Sequence, residues 1–464
     1  MVKSHVTRNM KHVTKIAAVS LVVILIMPSF ASAALLQANN LDHIGSFKAP
    51  YIPWPTDAFD YGGTAISYNP ARNSLFMVGH AWKQLLAEIS IPELGGRSII
   101  LQPLVDSLEG KMGLINEPGA NVQIGGTFPW GDKLIVSAFV YYDGNGTTIL
   151  SHFIRPIDMS VTGQVQGPFR VGPLGGGFYG GSMASIPANW QGSFGGPVMT
   201  GLCCVAISGR TSLGPSAHSF DPNNISETGA KALVYYPLTN PTLGDGDPTT
   251  QYYSSSDAAK YMVMPEGSDS VLFFGRHGTG EYCYGPGTND PALHMQPSGD
   301  GNVWCYDPTS SAKGPHNYPY YNYVWAYDAN ELAKVVRGEK QPWDVLPYAT
   351  WNLNGLSGLY PVGAAYDSST QRIYLSMYFG DGEYPLIEVL QINSLTPTPP
   401  PPPPPPTPQP IVGDINLDHI VNSIDYSILN SDWFTSNSRS DLNRDQIVNA
   451  IDYSLLNANW LRTW

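Results

Sequence analysis

Two copies of one short pattern near the carboxyl end constrain the fold of this 464-residue chain more than any other feature. The copies begin at Asp414 and Asp441, and each places Asp or Asn at positions 1, 3, 5, 9 and 12 of a loop. A calcium ion takes six to eight hard oxygen ligands, which a loop supplies through alternate side chains and one backbone carbonyl at position 7. The spacing therefore predicts two calcium sites. The predicted ligands are Asp414, Asn416, Asp418, the Ile420 carbonyl, Asn422 and Asp425 in the first loop, and Asp441, Asn443, Asp445, the Ile447 carbonyl, Asn449 and Asp452 in the second.

The residues between the ligands support a paired arrangement of the two loops. Val421 and Val448 occupy position 8, where an apolar side chain packs against the twin loop, and each loop continues with apolar residues at helical spacing. Position 6 departs from the usual loop, because His419 and Gln446 stand where glycine is favoured for a sharp turn. We expect both residues to adopt positive φ, at a cost of about 1 kcal/mol each.

The segment 411–464 resembles a type I dockerin, the calcium-loaded module that docks secreted polysaccharide-degrading enzymes onto cohesin domains. The resemblance rests on the two loop-plus-helix units without a leading helix, placed after a proline-rich stretch. It implies two bound calcium ions and a cohesin partner. The alternative is a duplicated helical hairpin that binds no metal. The partner-binding positions that the resemblance implies are Ser423, Ile424, Ala450 and Ile451.

The amino-terminal residues 1–33 predict a cleaved signal peptide. A basic start is followed by an apolar run at 16–27 and by a small-residue cleavage site at 31–33. The run is too short to span a bilayer comfortably, so we expect a secreted product, extracellular or at the cell surface, with no membrane partner. An uncleaved anchor is the alternative. Removing this basic segment makes the net charge of −13 still more negative, which disfavours nucleic acid as a partner.

A proline-rich linker at 396–410 separates the calcium loops from the rest of the chain. Proline lacks the backbone N–H and fixes φ, so this stretch forms neither helix nor sheet. In an extended polyproline conformation its fifteen residues reach about 45 Å. We therefore predict that the linker holds two domains apart.

Residues 34–395 predict a mainly β domain. Near its start, 62–91 has the order strand, polar turn, strand, loop, strand, and 363–392 near its end repeats that order. This order is typical of one blade of a β-propeller, and we predict five to seven blades. In both segments the third strand carries an acidic residue between aliphatic ones, Glu88 or Glu388. A large β-sandwich is the alternative. Looser copies of the pattern occur at 125–142, 196–210 and 261–280.

All four cysteines lie in this central region, and export permits disulfides. Cys283 and Cys305 flank a loop rich in Gly, Pro and Asn, and we predict a disulfide between them. Cys203 and Cys204 are adjacent in a predicted strand, where their side chains would point to opposite faces. We predict two buried thiols there, with a vicinal disulfide as the alternative.

Three functions remain open for the central domain. It is a polysaccharide-active enzyme (a glycoside hydrolase or a polysaccharide lyase), a non-catalytic sugar- or protein-binding head, or a structural cell-surface attachment protein. The 27 tyrosines suit sugar binding, since sugar faces stack on aromatic rings. A glycosidase needs two carboxylates across the scissile bond, which the sequence alone does not pair, and converging histidines would favour a metal-assisted enzyme. Arg276 could hold an anion. The candidate residues are Asp60, Glu117, Asp132, Glu266, Asp269 and Glu281 among the carboxylates, and His80, His152, His218 and His277 among the histidines.

Overall fold

The computed structural model describes residues 34–52, 58–245, 252–393 and 411–463. The predicted signal peptide and the proline-rich linker lie outside these ranges. The chain divides into two compact units, Met1–Leu395 and Thr396–Trp464, and each is described by itself. Among the described residues, no helix has the length and apolar character needed to cross a bilayer.

The first unit is built mainly from four-stranded antiparallel sheets. The first strand of the chain, β1 (Leu41–Lys48), belongs to the last of them. Sheets I to III each take four consecutive strands in chain order. Sheet I contains β2 (Ile66–Asn69), β3 (Ser74–Val78), β4 (Leu86–Ser90) and β5 (Ile100–Val105). Sheet II contains β6 (Val122–Trp130), β7 (Lys133–Val140), β8 (His152–Pro156) and β9 (Gln166–Phe169), and sheet III contains β10 (Ser182–Ser185), β11 (Val198–Gly201), β12 (Ala217–Phe220) and β13 (Lys231–Val234).

Two further four-stranded sheets follow, with smaller pieces inserted before and within them. A two-stranded ribbon consists of β14 (Thr239–Asn240) and β15 (Gly244–Asp245). Sheet IV contains β16 (Ala258–Val263) and β17 (Ser270–Gly278), then an excursion formed by β18 (Cys283–Thr288), β19 (Cys305–Tyr306) and β20 (Lys313–His316), then β21 (Tyr320–Asp328) and β22 (Ala349–Asn352). Sheet V contains β23 (Pro361–Asp367), β24 (Arg372–Asp381), β25 (Tyr384–Ile392) and, at its outer edge, β1.

Short helices lie between the strands of the first unit. The α-helices are α1 (Ala188–Phe194) and α2 (Ala329–Val336), and the 3-10 turns are Ala38–Asn40, Met112–Ile115, Gly176–Phe178, Pro291–Leu293 and Pro342–Asp344. The sequence predicts a helix at 331–338, and α2 covers most of that range but begins two residues earlier, where the Asp328 side chain caps the first turn. It does not predict α1, whose buried Trp190 and Phe194 are spaced as in a buried strand or a helix alike.

The five sheets pack on one another in a closed cycle. Their first strands contact in the order β23, β2, β6, β10, β16 and again β23. Each neighbouring pair of sheets shares one hydrophobic cluster, so that five clusters fill the five interfaces. Between sheets V and I, for example, Tyr374 and Ile387 pack with Leu75 and Met77. The second strands are buried on both faces for this reason, and they read in sequence as unbroken apolar runs.

The first strands approach each other backbone to backbone. A side-chain carbon at Gly125 on β6 would lie 1.9 Å from the carbonyl oxygen of Gly180, just before β10. A side chain at this position is sterically impossible without a shift of the main chain. The small residues of the first strands are therefore a condition for closing the cycle.

Buried acidic residues on the third strands tie sheets I and V to their own loops. Glu88 on β4 is fully buried and accepts hydrogen bonds from Asn69 at 2.8 Å, Arg72 at 2.8 Å and Ser74 at 2.5 Å. Gln102 on β5 donates a fourth, at 2.7 Å. In sheet V, Glu388 on β25 is buried and contacts His43 of β1 at 2.7 Å. The repeated acidic residue seen in the sequence is therefore structural.

Both pairs of cysteines form disulfides. Cys283 is joined to Cys305, as predicted, and this disulfide cross-links the segment between β17 and β21. Cys203 is joined to Cys204, so the prediction of two thiols is wrong there. The reason is that β11 ends at Gly201, so the pair lies beyond the strand: Cys203 forms an isolated bridge with Ser212, and Cys204 has a φ of 65°. The alternation of side chains that was assumed for a strand does not apply.

The second unit contains two helices of equal length around a small core. These helices are α3 (Ser423–Ser431) and α4 (Ala450–Ala458). The core consists of Val421, Leu429, Val448 and Leu456, none of which is exposed. The two position-8 valines thus share one core, as paired loops require.

Candidate functional site

A cavity of about 380 Å³ lies where the first strands of the five sheets meet. Every sheet or its adjoining loop contributes to the lining. Thr64 comes from just before β2, Gln123 from β6, Ser182 from β10, Lys260 from β16 and Val362 from β23. The cavity therefore lies at the centre of the cycle, and we refer to it as the axial cavity.

Two basic side chains line the axial cavity, and among the described residues that line it none is acidic. Lys260 on β16 and Arg276 on β17 are both half-buried. The guanidinium carbon of Arg276 lies 4.4 Å from the ring centroid of Tyr320 and 5.2 Å from that of Tyr360, so two aromatic rings hold the cation. Burial and the nearby charge of Arg276 lower the pKa of Lys260 to about 8.

Hydroxyl groups without protein partners also face this space. Within the described part of the chain, Tyr261, Tyr360 and Tyr378 line the cavity and their hydroxyls form no hydrogen bond with another residue. The hydroxyl of Thr64 is buried and equally without a partner there. Burial raises the pKa of each of the three phenols, which keeps them neutral donors near pH 7. Since buried polar groups are normally hydrogen-bonded, this concentration of free donors indicates a place for a polar ligand.

Aromatic side chains extend from the axial cavity to the solvent. Tyr141, directly after β7, lines the cavity and is exposed, and the next residue, Tyr142, is more exposed still. Trp82 follows the lining residue Ala81 and is 91% exposed. Of these three residues, Tyr141 is the one that lines the cavity, and an exposed tyrosine ring offers a flat apolar face with a polar edge that suits the face of a sugar ring.

The candidate carboxylates do not meet at the axial cavity. None of the six is among its lining residues. Asp60 lies 3.8 Å from His80 in an ion pair, while Asp269 is buried and its carbonyl accepts the first N–H of α2. Glu117 and Glu266 lie in exposed loops, as do Asp132 and Glu281.

The four candidate histidines also serve separate local roles. His152 on β8 and His218 on β12 are completely buried, and burial lowers the pKa of each to about 3. His277 contacts Asp257 at 2.6 Å. Over the described ranges, the one group of three or more potential metal ligands within reach of each other is Asp414, Asp418 and Asp425. Within the described ranges the candidate histidines do not form a cluster of metal ligands, so the metal-assisted alternative gains no support from them.

The sequence identified Arg276 as a possible anion-binding residue but missed Lys260. The signal was present, since Lys260 is a single cation inside the apolar stretch Ala-Ala-Lys-Tyr-Met-Val at 258–263. A charged residue in a buried strand calls for a partner or a ligand. What the sequence did not provide was the neighbour, because Tyr360 comes from another sheet a hundred residues later.

A second candidate site lies in the first loop of the carboxyl-terminal unit. One carboxylate oxygen each of Asp414, Asp418 and Asp425 lies within 4.8 Å of the others. The Asp414 carboxylate accepts the backbone N–H of Asp418 at 3.1 Å and of His419 at 3.0 Å, which wraps the loop around it. Asp425 is fully buried and accepts the N–H of Ile415 at 2.7 Å. The loop is thus closed over three convergent carboxylates.

The second loop repeats this geometry. Asp441 accepts the N–H of Asp445 at 3.1 Å and of Gln446 at 2.7 Å, and Asp452 accepts the N–H of Leu442 at 2.7 Å. His419 and Gln446 have φ values of 74° and 71°, so both position-6 residues adopt the expected left-handed conformation. Two different side chains held in the same strained conformation indicate that the loop shape is required.

Helix capping alone accounts for the Asn at position 9 and the Asp at position 12 of each loop. Asn422 and Asn449 cap α3 and α4, and each forms a capping box with the Asp at position 12. Positions 1, 3 and 5 have no such role. Among the described residues, no basic side chain forms an ion pair with Asp418 or Asp425, and the available donors are all oxygens. The residues therefore fit a hard divalent cation such as calcium, for which they supply side-chain oxygens and the Ile420 carbonyl.

The predicted partner-binding residues are all on the surface. Ser423, Ile424, Ala450 and Ile451 are exposed at the starts of α3 and α4, and the two isoleucines are each 54% exposed. The rings of Tyr426 and Tyr453 contact each other across the pair of helices, with centroids 5.4 Å apart. The two helix starts thus form an apolar, nearly two-fold symmetric surface.

No protein-family model matches this chain. A search of curated proteins likewise gives no match. Similar solved structures include a luciferin-regenerating enzyme (7% identity, TM-score 0.32, 77% of this chain and 95% of that chain) and the hydrazine synthase of Kuenenia stuttgartiensis (12%, 0.30, 75% and 100%). Another is a proposed glycoside hydrolase of Bacteroides ovatus (8%, 0.36, 73% and 88%). Similarity at these identities and TM-scores supports no statement about the function of this chain.

Proposed function

We propose that this protein is a secreted, dockerin-bearing β-propeller that binds polysaccharide in its axial cavity and docks onto a cohesin partner through two calcium-loaded loops. The cyclic packing of five four-stranded sheets, with one hydrophobic cluster at each interface, supports a five-bladed propeller. The pairing of β1 with β25 supports ring closure within the last blade.

The axial cavity is the observation that carries the binding proposal. Its unpartnered hydroxyls offer hydrogen bonds to a polyol, and the aromatic residues at its mouth offer stacking surfaces. The lining lacks acidic residues across its described members, so no pair of carboxylates is available there for hydrolysis. Binding is therefore favoured over glycosidic cleavage at this site.

Binding is tested with the full chain on a panel of immobilised plant and microbial polysaccharides. We expect at least one polysaccharide to retain the protein, and Tyr141→Ala to weaken retention about tenfold. Tyr284→Ala is the matched control, because Tyr284 is exposed but does not line the cavity. Release of reducing sugar, abolished by changes outside the cavity, would contradict the assignment of the cavity as the functional site.

The docking proposal rests on the matching hydrogen bonds of the two loops, on the three convergent carboxylates of the first loop and on the exposed apolar starts of α3 and α4. A type I cohesin domain is the expected partner. Binding should require calcium and be abolished by Asp418→Ala combined with Asp445→Ala, which removes one carboxylate from each loop. Undiminished binding in this variant, measured by calorimetry with and without EGTA, would refute the dockerin assignment.

A further inference from the structure

We propose that the axial cavity selects glycans that carry an oxyanion, a uronate carboxylate or a sulfate ester, and that Arg276 and Lys260 bind this group. The inference rests on the proposed polysaccharide-binding function and specifies its substrate class. The shared chemistry of both anions is a small cluster of charged oxygens on a sugar ring.

The lining of the axial cavity, as the structure describes it, contains no acidic residue to balance its two cations. Proteins rarely keep two half-buried cations side by side unless an anion is present. Here the lining residues of the cavity, all of them described, contain Lys260 and Arg276 without any carboxylate. Neither cation forms a hydrogen bond or ion pair with another described side chain. The part of the chain that the structure describes therefore supplies no paired counter-charge for them, and an anionic ligand would supply one.

Two tyrosine rings hold the guanidinium group of Arg276 in place. The rings of Tyr320 and Tyr360 both lie against its guanidinium group, at 4.4 and 5.2 Å from their centroids. Contact with ring faces fixes the guanidinium without using its N–H donors. Those donors remain available for two oxygens of one ligand group, which is the geometry that carboxylates and sulfates offer.

The chain as a whole is negatively charged. The chain has a formal net charge of −13 with 24 basic and 37 acidic residues, so its overall field repels polyanions. Unspecific adsorption of an acidic glycan is therefore disfavoured. Any such glycan that binds must find a local positive site, and the axial cavity provides one.

The hydroxyls around the cations complete the site for a sugar rather than for a free anion. Tyr261, Tyr360 and Tyr378 supply neutral donors beside the two cations, and Thr64 supplies another. A charged oxygen cluster flanked by sugar hydroxyls would satisfy both sets of groups. This combination of two cations and several neutral donors matches the edge of an acidic sugar residue.

The test uses the full chain and pairs of probes that differ in charge. Polygalacturonate is compared with neutral galactan, and dextran sulfate with unmodified dextran, by calorimetry at fixed ionic strength. We expect one acidic probe to bind about 10- to 100-fold more tightly than its neutral counterpart. Lys260→Gln and Arg276→Gln should each weaken this binding at least tenfold. Lys231→Gln and Arg337→Gln remove an exposed cation elsewhere and should change it less than twofold.

The conservative variant Lys260→Arg separates a loss of charge from a loss of fold, because it should keep most of the binding that Lys260→Gln loses. Binding of polygalacturonate alone assigns a uronate, and binding of dextran sulfate alone assigns a sulfate ester. Equal binding of neutral and acidic probes, or full binding by both Gln variants, would overturn the inference and leave the proposed function standing. Failure of every glycan, neutral or acidic, to bind would overturn the proposed function itself.

Discussion

Removal of calcium should unfold the carboxyl-terminal unit and leave the sheets of the first unit intact. In the first loop, three carboxylate oxygens lie within 4.8 Å of each other. Two unit charges at that distance repel by about 1 kcal/mol in bulk water and about 3 kcal/mol at the effective dielectric near a protein surface. Three pairs therefore cost about 3–10 kcal/mol in the first loop when no cation is bound.

The stabilisation available to offset this repulsion is small. The core of the unit consists of four fully buried aliphatic side chains, which contribute about 1.5–3 kcal/mol each, or about 6–12 kcal/mol together. The repulsion between the three carboxylates of the first loop is of comparable size. Calcium at about one hundred times its dissociation constant reverses the balance, since each site then adds about 3 kcal/mol beyond neutralising the carboxylates.

The assay is differential scanning calorimetry of the full chain, once in 1 mM calcium and once in EGTA. A calcium concentration of 1 mM is about one hundred times the dissociation constant of a site of moderate affinity. We expect two transitions in calcium and the loss of one in EGTA. Limited proteolysis with mass spectrometry should then locate new cleavages within 411–463 only. Asp418→Asn with Asp445→Asn should make the second transition independent of calcium, because each loop loses one ligand carboxylate and the first loop also loses two of its three repelling pairs. Glu93→Gln, which removes one exposed carboxylate from the first unit, should leave the calcium dependence unchanged. Two transitions that are identical with and without EGTA would refute the reasoning.

Three further perturbations test the first unit. Glu88→Ala leaves four donors without their buried acceptor and should lower the free energy of unfolding by about 3–5 kcal/mol in urea, with Glu93→Ala as the neutral control. Lys260→Met should raise the melting temperature at pH 7, because a folded-state pKa of about 8, below the usual 10.5, makes the charged lysine destabilising. That penalty is complete below about pH 8 and fades as pH rises to 10.5, so a difference independent of pH would contradict the assignment. Replacing Cys283 and Cys305 by alanine opens a loop of 22 residues and should cost about 3 kcal/mol by the same urea assay; an unchanged value would mean that the reduced excursion stays ordered.

Features set by local sequence were the most predictable. Ligand spacing and capping in the calcium loops involve residues within twelve positions of each other, so Asp414 and Asp425 could be related without knowledge of the fold. The positive φ of His419 followed from the loop alone. The strand order of sheets I and V was recognisable for a similar reason, since β2, β3 and β4 in sheet I and β23, β24 and β25 in sheet V follow one another directly in the chain.

Features that depend on distant parts of the chain were not predictable. The axial cavity brings together side chains from five sheets, so neither the isolation of Lys260 nor the rings around Arg276 could be read from one stretch. The disulfide at Cys203 was missed because the end of β11 depends on its neighbours in sheet III. Helix α1 was missed because its apolar spacing does not distinguish a short helix from a buried strand.

The pairing of β1 with β25 has a consequence for how the chain is made. Leu41 pairs with Ile392 in this ladder, so β1 leaves the ribosome long before β25, the strand that pairs with it, has been synthesised. Until then Phe47, which is almost fully buried in the finished protein, lacks its neighbours Tyr374 and Ile387 of sheet V. A ribosome that stalls before residue 384 would release a product that lacks β25 and in which β1 has no partner strand. Quality control of this protein during synthesis should therefore depend on how long that first strand is shielded.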